Sequence, residues 1–192
     1  MNPLMFPKML TSHGQGWDWL MRIHPSITKM YLAYVVPMSL VPPAMLLYTW
    51  HTYRSAPLLE IDLNQALLLA AIFLLAELVM VPIMGRVLQR IGEVANVQPP
   101  YQDTFALAAV APTPLWLAPV ALFVPSVAFN AIVMVLALAG VATLIYQGVD
   151  RVYRLQDEGQ TLLVAGTVLA AGLIAWVAML GLAFVSWGMV LT

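Results

Sequence analysis

Apolar residues in this chain fill whole stretches instead of recurring at a helical or strand period, and polar residues are confined to the gaps between them. Five stretches, roughly 29 to 50, 65 to 85, 104 to 123, 126 to 147 and 162 to 185, each have the length of about 20 residues needed to cross bilayer hydrocarbon. Within lipid, backbone groups are satisfied only in helices and closed barrels. The pattern therefore predicts an all-α polytopic membrane protein with five transmembrane helices, spanning 27–192 after a polar N-terminal segment at 1–26. Merging the third and fourth stretches fails on length, and Val124-Pro125-Ser126 supplies a tight turn between them.

Prolines interrupt this pattern. Pro37, Pro42 and Pro43 lie in the first stretch, Pro82 in the second, and Pro112, Pro114 and Pro119 in the third. Each removes a backbone donor, and in lipid the carbonyl it strands needs a partner from a neighbouring helix, a hydroxyl or water. The first and third spans are expected to be broken, the first most sharply between Leu40 and Pro43, because residues preceding proline favour extended conformations. In the third, the inner half is expected to depart from a regular helix. The fourth and fifth spans contain no proline and read as straight packing helices; small residues four apart in the fifth, Gly166 with Ala170 and Ala171 with Ala175, suit close helix approach, chiefly within the chain. Ahead of the first span, Gly14-Gln15-Gly16 reads as flexible. Trp17, Leu20, Met21 and His24 then share one helical face, which suggests a short helix lying in the inner interface.

Composition changes this picture only by confirming its solvent. The 192 residues are 62% hydrophobic and 9% charged, with no cysteine, and mean hydropathy is +0.88. Soluble domains carry about 25% charged residues. Disulfides, thiolate nucleophiles and cysteine-ligated clusters are excluded, and the connecting pieces are too short to hold a nucleotide-binding domain. Charge sets the orientation. Lys8, Arg22, Lys29, Arg86, Arg90, Arg151 and Arg154 fall on one side of a five-span chain and Arg54 alone on the other, which predicts a cytoplasmic N-terminus and a C-terminus across the membrane. Tyr48, Trp50, Tyr53 and Trp187 would mark the outer interface, and Tyr31, Tyr101, Tyr146 and Tyr153 the inner one. No cleavable leader is expected, and the first span serves as its own anchor.

Candidate chemistry is sparse. Glu77, halfway along the second span, is the only formally charged side chain deep in a span; there it needs a partner, water or a proton, at a cost of about 2.5–3.5 kcal/mol on insertion scales. Two readings stand side by side. In one, Glu77 is a neutral acid hydrogen-bonded to a proline-freed carbonyl; in the other it is a proton or cation relay flanked by the broken first and third spans, the latter with Pro112, Pro114 and Pro119. Thr113, Asn130, Thr143 and Gln147 read as packing hydrogen bonds between helices. Glu60 and Asp62 near Arg54 read as a solvated loop, and Asp150 with Arg154 as an i,i+4 pair. His13, His24 and His51 lack metal-ligand spacing. No HExxH, Gly-x-Ser-x-Gly or Walker loop occurs, and no basic patch for nucleic acid. Neither an enzyme, a cofactor nor a metal is implied.

One region carries a resemblance. Tyr101-Gln102-Asp103-Thr104-Phe105 leads into the Ala-rich segment 106 to 111, which breaks at Pro112 and Pro114. Leu115 to Phe123 completes that span, Val124-Pro125 turns, and the next span closes at Tyr146-Gln147-Gly148-Val149. This order and spacing, through Arg154, resembles the Yip domain family, the five-span Ypt/Rab-interacting proteins of eukaryotic secretory membranes and their bacterial relatives. The long polar N-terminal region with an Asp-Leu-Tyr-Gly type motif that marks the eukaryotic members has no counterpart here. The resemblance thus implies the compact bacterial branch, the cytoplasmic membrane and no catalytic residues. The expected function is a non-enzymatic membrane scaffold or accessory partner of a larger complex, in contact with the bilayer and with a membrane-protein partner or a second copy. The alternative is a small transporter or channel subunit using Glu77. A closed core would favour the first, and a vestibule reaching Glu77 the second.

Overall fold

A computed structural model describes residues 15–53 and 61–191, all helix and short connections, with no strand among them. Lys8, His13, Gly14, Arg54 and Glu60 lie outside the described residues. Five helical segments are long and apolar enough to cross a membrane: Ile27–Tyr53, Leu63–Val94, Tyr101–Phe123, Val127–Tyr153 and Glu158–Met189. The second runs further than its apolar stretch because Arg86 to Val94 continues the helix past the hydrocarbon, ending beside Asn96 at φ 60°.

The first span is assembled in pieces. Ile27–Met30 is α-helical, Tyr31–Val35 forms a π-helical turn, Val36–Ser39 returns to α, and after a turn at Leu40 the helix Val41–Tyr53 completes the crossing. The π turn comes just ahead of Pro37, so a wider ring takes up the mismatch that the proline imposes. In the third span the expectation is corrected. Its first half, Tyr101–Val110, is a regular helix and is buried from Asp103 onward. The irregular part is the second half, where a turn at Ala111–Pro112 leads to the short helix Thr113–Leu117 and then to a 3₁₀ segment, Ala118–Phe123. Pro114 and Pro119 each sit in the first turn of the element they enter, where proline is best tolerated. Pro82, by contrast, lies inside the unbroken helix Leu63–Val94.

The third span is the hub. Over half of its most apolar stretch is buried, against 6% for the fifth span. Its first half packs on the second span, its second half on the fourth, and the fifth packs on the second and fourth. Glycine makes room for side chains packed against the helices: a Cβ at Gly92 would lie 2.6 Å from Pro99 Cδ, and one at Gly148 would lie 2.8 Å from Trp17 and Leu107. The fifth span's glycines are different. Gly166, Gly172, Gly181 and Gly188 have nothing within 4 Å of an added Cβ, and Gly166 and Ala170 are exposed, so this small-residue pair is not a close intramolecular helix contact.

At the end of the bundle that carries most of the basic residues, the amphipathic helix Gln15–Ile23 folds back on the fourth span. Trp17 and Leu20 are fully buried there, in protein contacts. Arg151 Nε reaches Asp18 at 2.9 Å, His24 Nδ1 lies 3.1 Å from the buried Asp103, and Gln102 Nε2 donates to the carbonyls of His24 and Pro25 at 2.7 and 2.8 Å. The expected Asp150–Arg154 pair does not form. Asp150 pairs with its neighbour Arg151, and Arg154 is the left-handed cap that ends the helix. Tyr153, expected at the interface, is buried with its hydroxyl on the Leu88 carbonyl at 2.7 Å. At the opposite end Trp50 Nε1 donates to Ile61 O at 3.0 Å, and Trp50 and Trp187 pack together with Ile61, Ala66 and Leu69. Asp62 is an N-cap, reciprocally bonded with Gln65 in a capping box.

Candidate functional site

Proline chemistry organises the bundle interior. Pro82 has no N–H, so the carbonyl four residues back, Leu78 O, has no helical partner; the Tyr31 hydroxyl donates to it at 3.0 Å. Pro114 strands Val110 O in the same way, and Thr113 Oγ1 donates to that oxygen at 2.5 Å. Thr113 in turn shares a short hydrogen bond with the Tyr34 hydroxyl from the first span. Hydroxyls from neighbouring residues and helices thus supply the partners that lipid cannot.

Glu77 lies beside this network. Its carboxyl interacts with the Trp116 indole, a donor only, and not with a proline-freed carbonyl. Trp116 also packs edge-on against Tyr34, ring centroids 6.5 Å apart at 66°. Three spans therefore meet at one polar cluster: Tyr34 from the first, Glu77 from the second, Thr113 and Trp116 from the third. The second carboxyl oxygen, Oε2, is buried without a hydrogen-bond partner.

Glu77 lines a cavity of about 510 Å³. All five spans contribute to its wall, the first through Pro42 alone. Pro112 and Pro119 line it, and Pro114 does not. The remaining lining is apolar, with four methionines (Met80, Met84, Met134, Met179) and the indoles of Trp116 and Trp176. The bundle interior is thus not closed, and the opening reaches Glu77.

The other polar candidates stay local. Asn130 Nδ2 donates to Val124 O and Ser126 O across the turn, and Thr143 Oγ1 to Ala139 O within its own helix, so neither joins two spans. Among the described residues no group of three His, Cys, Asp or Glu could hold a metal. Sequence reasoning missed Trp116 and Tyr34 as members of the site. Their signal is positional: tryptophan and tyrosine prefer the membrane interface, and both lie well inside a span.

Five apolar spans around a buried polar cluster define a multi-pass integral membrane protein. Its family is shown by comparison: the Yip1 domain matches residues 8–179, and the chain belongs to the Yip1 family. No curated protein and no solved structure matches it.

Proposed function

We propose that this Yip1-family protein is a non-enzymatic scaffold or accessory subunit of a larger complex in the bacterial cytoplasmic membrane, with its N-terminus in the cytoplasm. The observation that supports this reading is the openness of the fifth span. Only 6% of its most apolar stretch is buried, and Gly166, Gly181 and Gly188 leave their backbone uncovered. In lipid, helices associate through close packing at small residues. A helix with so little of itself committed inside the chain is suited to contact a partner's helix or a second copy. The test is extraction from native membrane in polymer-bounded discs, followed by mass spectrometry. A protein or lipid in fixed proportion to the wild-type chain, and depleted in a Gly166→Leu, Gly181→Leu variant, supports the reading. Recovery of the chain alone, with no lipid preference, overturns it.

A second reading, a transporter or channel subunit, is favoured by one observation: Glu77 lines a cavity bordered by both broken spans. Unchanged proton and solute flux in proteoliposomes of Glu77→Gln counts against it.

A further inference from the structure

The cavity holds a chemical asymmetry that says what kind of molecule it would admit. Of the residues that line it, Glu77 alone can carry a charge; no Lys, Arg or His reaches the wall. Glu77 is only 8% exposed, its carboxyl interacts with the Trp116 indole, and Oε2 has no hydrogen-bond partner. An acid in the wall of an apolar cavity, with no basic side chain of the protein beside it, is complementary to a positive group brought from outside. The rest of the wall suits the remainder of such a molecule. Trp116 and Trp176 offer aromatic faces, which attract cations, and methionine side chains adapt to irregular apolar shapes. A volume of about 510 Å³ falls within the range of roughly 300–1,000 Å³ typical of small-molecule sites.

We propose that this cavity binds a lipophilic cation: an apolar, ring- or chain-bearing molecule with one positive charge, which enters from the bilayer and places that charge against Glu77. Charge complementarity selects the sign, the apolar wall excludes hydrated ions, and burial within the spans restricts the site to molecules that partition into lipid. The inference is independent of the accessory reading, because it concerns a site inside the bundle and not the outward face of the fifth span.

Tetraphenylphosphonium and tetraphenylborate make a suitable probe pair, since they share a shape and differ in sign. The full chain in phosphatidylcholine nanodiscs is expected to bind tetraphenylphosphonium saturably, at one site per chain above the uptake of empty discs, and to show no saturable binding of tetraphenylborate. Glu77→Gln is expected to weaken tetraphenylphosphonium binding at least tenfold. A second variant guards against misfolding at Glu77: Gly172 lines the cavity with nothing within 4 Å of an added Cβ, so Gly172→Phe fills the space while leaving the carboxyl in place, and binding is expected to be lost there too. In the wild type, tetraphenylphosphonium is also expected to slow modification of Glu77 by dicyclohexylcarbodiimide, read by peptide mass spectrometry. Equal affinity of wild type and Glu77→Gln, equal binding of the two probes, or uptake no greater than that of empty discs overturns the proposal.

Discussion

At the scale of single residues, the bundle is built by satisfying what prolines leave undone. Their positions can be read from the sequence, and so can the need for partners. The partners themselves cannot, because Tyr31 is 47 residues away from Leu78 and nothing local to either predicts that they meet. Thr113 is the exception, since it sits three residues from the carbonyl it caps. The Tyr31 bond is testable by a double-mutant cycle. Interhelical hydrogen bonds in membranes average about 0.6 kcal/mol and reach about 1.7. Tyr31→Phe is expected to lower stability by that order in the wild-type background, measured by unfolding in mixed micelles. In Pro82→Ala the new N–H can take Leu78 O, so the same change should cost clearly less. Equal losses in both backgrounds would show that the hydroxyl does not serve the proline. Glycines supply a contrast of the same kind. Gly92→Ala forces a Cβ to within 2.6 Å of Pro99 and 2.8 Å of Tyr153, an overpacking expected to cost about 1–3 kcal/mol. Gly181→Ala, facing open space, is expected to cost nothing and to gain helix propensity. A similar loss at both positions would contradict the packing described.

At the scale of elements, hydrophobic pattern locates the spans but not the faces they bury. The sequence carries the breaks in the first and third spans, yet which half of the third is irregular depends on where each proline falls relative to the helix it starts. Tyr101–Val110 precedes every proline in its span and is regular; the segments after Pro112 begin with prolines and are short. The N-terminal helix shows the same limit. Its apolar face is legible from Trp17 and Leu20, but an amphipathic face fits lipid and protein equally well, and only the slot opened by Gly148 identifies the occupant as the bundle. The docking is held at its far end by His24 on Asp103 and by Gln102 on the backbone at His24 and Pro25. Because the chain has no cysteine, a single Leu20→Cys reports on the dock without background. Maleimide labelling at that position is expected to be slow in an otherwise unchanged chain and several-fold faster with Asp103→Ala or Gly148→Leu, which detach opposite ends of the helix. Fast labelling in the unchanged background would mean that the helix is not seated as described.

At the scale of the molecule, the question left by five spans is which way they face. The sequence predicts an answer through charge, since the positive-inside rule depends on counting loops correctly and five spans are found. It could not announce the cavity, because an intramembrane void arises from how all five helices diverge, and a lone Glu77 looks the same beside one or sealed in a core. The fold now ties the charge argument to physical ends. Arg151 and Asp18 meet at the end where His24 meets Asp103, so the N-terminal helix, the start of the third span and the close of the fourth share one face. Trp50, Ile61 and Trp187 close the other. If basic residues are retained in the cytoplasm, the first face is inside and the second is not. Single cysteines at Asp157 and Glu158, where the fifth span begins, and at His51 and Asp62, around the connection after the first, then carry opposite labels. In intact spheroplasts a membrane-impermeant maleimide is expected to modify the cysteines at 51 and 62 and to reach those at 157 and 158 only after permeabilisation. Because both pairs lie outside the cavity and the helix dock, the labelling reads orientation alone. The reverse pattern would invert the chain and place Arg22, Lys29, Arg86, Arg90, Arg151 and Arg154 on the side that translocation disfavours. Retention would then have to rest on something other than loop charge, with the docked N-terminal helix carried across together with its partners.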